Sequence, residues 1–220
     1  MITLYGFGNV HKAVIGATRD LRVQWALEEL GLPYRVHGLD HTAGALKTKQ
    51  FRERNIFGQL PVIDDDGFVL QESVAILLYL AEKAGATPPD RKHYATLTRW
   101  CLAAVNTVEL PLQDIALTDM RGGAKDPVSA KRRAETVEWA NLVLRPLEVH
   151  FATNQFVLGA EFSIADILMA STLRMARKNE LLRPFERVEA YRLRCEARPS
   201  FERALAQYEQ RLGVAPGFGR

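Results

Sequence analysis

The sequence predicts a small α/β domain followed by an all-helical one. Three observations point there. Up to about residue 85, short β-rich runs alternate with amphipathic helical patterns; two β runs flank an Asp-Gly pair at 66–67; and beyond residue 85 only helical periodicity remains, punctuated by proline.

In the first part, Ile2–Tyr5 reads as a strand. Val23, Ala26, Leu27 and Leu30 recur at i, i+3, i+4 and i+7, which marks an amphipathic helix stopped by Gly31, and Pro33 opens the next extended segment. Tyr34–Leu39 is a second strand, and Ala45–Arg54 is weakly helical. Leu60–Ile63 and Phe68–Leu70 enclose Asp64-Asp65-Asp66-Gly67 as a hairpin, because Gly supplies the positive φ of a tight turn. Glu72-Ser73 then opens an apolar helix that runs through Ala81. The order βαβαββα over residues 1–84 is that of a compact domain with a crossover helix. Residues 85–91, with Thr87-Pro88-Pro89-Asp90, read as a linker, and 92–220 as the helical domain. Four helices are expected in that second part. One runs from Asp90 towards Leu117 and bends at Pro111; a second starts at Asp126-Pro127; a third starts at Ser163; a fourth runs from Pro199 to Leu212-Gly213.

Composition removes several classes of function. The chain has 220 residues, 47% hydrophobic and 25% charged, which is too apolar and evenly charged for a disordered protein. No apolar run approaches the ~20 residues of a membrane span, and no leader pattern precedes the first strand, so a cytoplasmic protein without a membrane role is expected. Cys101 and Cys195 are far apart and outside any CxxC pair, which excludes a disulfide framework, a Cys-rich zinc site and a dithiol centre. The five histidines lack ligand spacing, so no metal is expected. Net charge is +3, with 9 basic and 10 acidic residues in 1–84 and 20 and 16 in the rest. The Arg-rich stretch 174–198 is interleaved with Glu180, Glu186, Glu189 and Glu196, the pattern of a solvated helix face, and no nucleic-acid partner is expected.

Two short motifs carry chemistry. Leu60-Pro61 stands where a strand should begin; an X-Pro bond there is either an ordinary trans edge or a cis bond that turns the preceding backbone outward. Glu72-Ser73 ends a strand and starts a helix, either as a plain N-cap or as a corner whose N–H groups and hydroxyl hold a carboxylate.

Across nearly its whole length the sequence resembles the glutathione S-transferases. The matching segments are Leu4-Tyr5-Gly6, Trp25–Tyr34, Asn55–Ile63 and Glu72–Ile76 in the first part, and Phe162–Ile167 and Arg198–Phe201 in the second. The resemblance implies a thioredoxin-like first domain and a helical second domain that forms the electrophile side. It implies a cis Pro61, a Leu60 backbone that pairs with the cysteinyl part of glutathione, and a Glu72-Ser73 pair that grips the γ-glutamyl end. Ser163 and Asp166 match the family's N-capping box, a structural element. Ile56 departs from the family, which usually has Pro there.

Members of the family place Ser, Cys or Tyr before the first helix, where it hydrogen-bonds the glutathione sulfur and favours the thiolate. Here the loop Phe7–Ala17 is long and ends in Thr18-Arg19, and counting back from Trp25-Ala26-Leu27 leaves Thr18 as the one hydroxyl in range. Thr18 is therefore assigned to the sulfur, with Arg19 as a cationic alternative and helix capping as the competing role of Thr18. His11 in the long loop, and Trp100, Asn106 and Thr107 in the first long helix, are assigned to the second-substrate pocket. The implied function is conjugation of glutathione to a small electrophile, a detoxification reaction, in a homodimer. Glutathione is a co-substrate there and no cofactor is permanently bound. Glutathione-dependent peroxide or disulfide reduction, and a non-catalytic glutathione- or protein-binding module, are the alternatives.

Overall fold

The structure, a computed structural model, describes residues 1–220. In chain order the elements are β1 (Ile2–Asn9), α1 (Arg19–Glu29), β2 (Tyr34–Asp40), α2 (Lys49–Arg54), β3 (Val62–Asp65), β4 (Phe68–Gln71) and α3 (Ser73–Lys83). There follow α4 (Arg91–Leu102), α5 (Glu109–Met120), α6 (Pro127–His150), α7 (Ile164–Leu173), α8 (Glu186–Glu196) and α9 (Pro199–Arg211). Internal contacts divide the chain into two units. One comprises Met1–Thr87 with Ala197–Arg220, and the other Pro88–Glu196.

The first unit has a four-stranded sheet in the order β2-β1-β3-β4, with β2 parallel to β1 and the other neighbours antiparallel. Along β1 the pleat buries Ile2 and Leu4, while Tyr5 and Phe7 pack with Phe51, Leu60 and Val62. The β3–β4 turn places Asp66 and Gly67 at φ 50° and 96°, the paired positive values of a two-residue hairpin turn, so the Asp-Gly reading holds. The order βαβαββα is found as expected, with α1 and α3 packed together.

The last helix belongs with this unit. A stripe of Phe201, Ala204, Leu205 and Tyr208 is buried, and the Trp25 ring lies 4.7 Å from that of Phe201 while its indole N–H donates to Ser200 Oγ. At the far end of α1, Glu29 accepts from Arg198 and Ser200, and Glu28 from Arg203 and Gln207. A helical domain running unbroken from 92 to 220 is thus replaced by a grouping in which the final helix completes the α/β unit.

The second unit is helical. The long first helix is interrupted by a π turn at Ala103–Val108, just before Pro111, which has no N–H to give the Thr107 carbonyl. Asp126 Oδ1 accepts from the Val128 and Ser129 N–H groups with Pro127 at the first position, and α6 continues through Pro146. Every residue of α7 is buried, which makes it the centre of this unit. α8 is an element that the sequence reading did not separate. Its surroundings also correct the reading of 174–198 as a solvated face: Arg174 and Arg192 are 1% and 6% exposed, and they pair with Glu196 and Glu189.

Candidate functional site

Three chain segments meet at one end of the sheet because of strand register. Tyr5 of β1 pairs with Val62 of β3, and Val62 pairs with Gln71 of β4. The C-terminal end of β1, the Leu60-Pro61 step into β3 and the Glu72-Ser73 step out of β4 therefore lie side by side. The Phe7 N–H donates to Asp20 Oδ2 at 3.0 Å, which fastens the first turn of α1 to the same end.

The Leu60–Pro61 bond is cis. Both residues are buried, and no backbone hydrogen bond of the fold uses the Leu60 N–H or carbonyl. That leaves a peptide edge with one donor and one acceptor next to the end of the sheet.

Beside it, Glu72 sits at φ 72°, ψ 116°, a left-handed backbone conformation that costs a non-glycine residue on the order of 1–3 kcal/mol. Ser73, the first residue of α3, is buried, and Glu72 is exposed. The helix begins without a side-chain cap, and its first internal bond is from Ile76 N–H to the Glu72 carbonyl. The N–H groups of Ser73, Val74 and Ala75 are thus free of the helix ladder. The positive end of the helix dipole lies at the same corner.

Thr18 occupies the N-cap position of α1 in extended conformation, yet its side chain makes no capping hydrogen bond. Its hydroxyl oxygen instead lies 2.7 Å from that of Tyr208, which comes from α9 and is fully buried. Burial, then the charge of Asp20, pushes the Tyr208 phenol well above its ordinary range, so it stays protonated. Arg19 opens α1. Sequence reasoning missed Tyr208; the apolar spacing 201, 204, 205, 208 is the signal that marks it for a buried face, and it carries no sign of the Thr18 partner.

Of the residues assigned to the second substrate, His11 belongs to the first unit and Trp100, Asn106 and Thr107 to the second. His11 is exposed and its Nδ1 accepts from the Ala13 N–H at 3.2 Å, capping a short 3-10 turn. Asn106 and Thr107 line an open groove of about 660 Å³ in the helical unit with Tyr94, Thr98 and Leu102. Trp100 does not line it; its ring packs 4.9 Å from that of His150, with the Arg99 guanidinium 4.7 Å from the ring centre.

Ser163 and Asp166 form the expected box. The Ser163 N–H and Oγ both donate to Asp166 Oδ2 at 2.9 Å, while Val157 N–H and the Tyr191 hydroxyl donate to Oδ1 at 2.8 and 2.9 Å. Both cysteines are buried; burial and then the Asp166 charge push the Cys101 thiol up to about 12, so neither its position nor its acidity suits thiol chemistry.

Residues 12–82 match the model of the glutathione S-transferase N-terminal domain, and 115–199 that of the C-terminal domain. Glutathione S-transferase 3 of Zea mays is 31% identical over 199 residues, covering 84% of this chain and 88% of the maize protein. The chain belongs to the glutathione S-transferase family. Other relatives of this transferase family include the probable maleylacetoacetate isomerase 2 of Drosophila melanogaster, 26% identical over 83% of this chain and 81% of its own. Among solved structures, a glutathione transferase of Burkholderia graminis superposes with a TM-score of 0.80 at 25% identity. The match covers 93% of this chain and 87% of that one, which holds two glutathione molecules per subunit.

Proposed function

We propose that this family member binds reduced glutathione at the end of its sheet, ionises the thiol beside Thr18 and conjugates it to a small electrophile. The observation that carries the reading is the uncapped start of α3, with buried Ser73, standing next to the unpaired Leu60 edge before cis Pro61. A tripeptide fits this combination. The γ-glutamyl carboxylate is taken by the α3 N–H groups and the Ser73 hydroxyl, its ammonium by the exposed Glu72 carboxylate, and the cysteinyl amide pairs with Leu60.

A cysteinyl residue held at Leu60 brings its sulfur towards the start of α1, where a hydroxyl and a helix N-terminus both favour thiolate over thiol. Lowering the thiol by one unit from its ordinary ~8.5 raises the thiolate fraction at neutral pH from about 3% to about a quarter. The thiol proton leaves to water, and the sulfur lone pair forms the new S–C bond. An aryl halide loses halide with its bonding pair, whereas an enone takes a proton at its α-carbon. The remaining rate gain is positional.

Disulfide reduction is the second reading, and the two glutathione molecules per subunit in the Burkholderia relative favour it, since reducing a disulfide consumes two glutathione thiols, the first attacking it to form a mixed disulfide and the second releasing glutathione disulfide. Retention on immobilised glutathione, followed by turnover of aryl halides, enones, hydroperoxides and mixed disulfides, separates these readings. Conjugation of a halide or enone is the expected result. Turnover of only peroxide or disulfide would replace conjugation with reduction, and retention with no turnover would leave a binding module.

A further inference from the structure

Thr18 is an N-cap that does not cap, and its hydroxyl is engaged by a residue 190 positions away. We propose that Tyr208 is a positioning residue for thiol activation: its buried hydroxyl donates to Thr18 Oγ1, so that Thr18 directs its own proton to the glutathione sulfur. This inference rests on the assignment of Thr18 to the sulfur made above.

The direction follows from acidity: a phenol is the stronger proton donor and an alkyl hydroxyl the better acceptor. Tyr208 is 0% exposed, and its hydroxyl oxygen lies 2.7 Å from that of Thr18, a contact across which either hydroxyl could donate. With Tyr208 donating, Thr18 Oγ1 acts as acceptor inward and keeps its proton for an outward partner. Donors in such a chain strengthen one another, so a Thr18 hydroxyl that already accepts is the better donor to sulfur. The same bond keeps the hydroxyl from turning back to cap α1.

The end of the chain holds this geometry. Buried Glu209, next to Tyr208, accepts from the Gly217 and Gly219 N–H groups at 2.8 and 2.7 Å. Gly219 in turn lies against Gly16, where a Cβ would come within 2.0 Å of the Gly219 carbonyl oxygen, and Gly16 itself sits at φ +83°. The loop before Thr18 is thus clamped between α9 and the tail. The charges facing the hydroxyl pair are Asp20 and Arg211, which pair at 2.9 Å with Arg211 stacked 5.2 Å from the Tyr208 ring centre, and Arg19 follows Thr18 in the chain.

The test is the thiol titration of bound glutathione, followed by the ultraviolet absorbance of the thiolate, in the parent, Tyr208→Phe, Thr18→Ala and the double variant. Tyr208→Phe keeps the ring in its buried site. It is expected to raise the thiol pKa by about half to one unit and to shift the pH profile of kcat by the same amount, with the Kd for glutathione changed less than about twofold. The double variant should titrate like Thr18→Ala alone, because the tyrosine acts through the threonine. Thr18→Ser should restore sensitivity to Tyr208→Phe. A Tyr208→Phe thiol that titrates like the parent, while Thr18→Ala raises it, overturns the role of Tyr208 and leaves Thr18 in place. A Thr18→Ala thiol that titrates like the parent overturns both.

Discussion

The Arg211 guanidinium meets the Asp20 carboxylate at 2.9 Å, with Asp20 wholly buried. The other nitrogens of Arg211 donate to the Phe7 carbonyl at 3.0 Å and to Gln24 Oε1 at 2.8 Å, and Asp20 also holds the Phe7 N–H. One side chain from the last helix therefore ties the end of β1 to the first turn of α1, the two segments that frame Thr18. Arg211→Met should cost about 3–5 kcal/mol in urea denaturation, since it leaves the Asp20 charge buried without its counter-ion. Arg211→Lys should recover only part, because an ammonium cannot reach all three acceptors. A Met variant as stable as the parent would remove the pair from the forces that hold this end of the sheet.

Ser73→Ala separates binding from folding. No hydrogen bond of the fold uses the Ser73 hydroxyl, so the melting temperature should stay close to the parent's while the Kd for glutathione rises about tenfold by calorimetry. Equal affinity in the two proteins would take Ser73 out of the γ-glutamyl grip.

Much of this was legible before any coordinates. The βαβαββα order lies in local periodicities and in the Asp66-Gly67 turn, which are short-range properties of the chain. The Ser163–Asp166 box is a four-residue motif and was equally readable. Leu60-Pro61 and Glu72-Ser73 each allow two readings from their residues alone; the cis state of the one and the uncapped helix start at the other depend on the folded chain. Illegible features depend on distant pairing. The burial of Arg174 and Arg192 rests on carboxylates that fold back onto them, and a run of Arg and Glu looks the same whether those pairs face water or core. The link from Thr18 to Tyr208, and the placement of α9 with the first unit, join segments from opposite ends of the chain. The π turn at 103–108 has no sequence mark beyond the proline that follows it.

Asp166 anchors the helical unit. Burial pushes its carboxyl up, and hydrogen bonds from Val157, Ser163 and Tyr191 pull against that rise. Asp166→Ala leaves those donors unpaired in the interior and should lower stability by about 2–4 kcal/mol, read from the thermal unfolding curve. Below its melting temperature the variant should still be retained on immobilised glutathione. Unchanged melting would make the box dispensable.

Acid should loosen α9 before the rest of its unit. Burial pushes Glu29 up, but hydrogen bonds from Arg198 and Ser200 outweigh it and hold the carboxyl below its ordinary 4.5; Glu28 is lowered likewise by Arg203, Tyr34 and Gln207 against its own burial. Groups with depressed values stabilise the fold fully above 4.5, and that contribution is lost as pH falls through the lowered values. Hydrogen exchange of the α9 amides, corrected for intrinsic rates, should therefore accelerate below pH 4.5 in the parent and lose that step in Glu28→Gln/Glu29→Gln. A step of equal size in the double variant would place the acid-sensitive groups elsewhere.

The ionisation of bound glutathione tests the proposed chemistry most directly. Titrated on the parent protein, the thiol should ionise at least about one unit below its ordinary ~8.5, and in Thr18→Ala it should return most of the way. A bound thiol that titrates like free glutathione in both proteins would contradict activation at the start of α1.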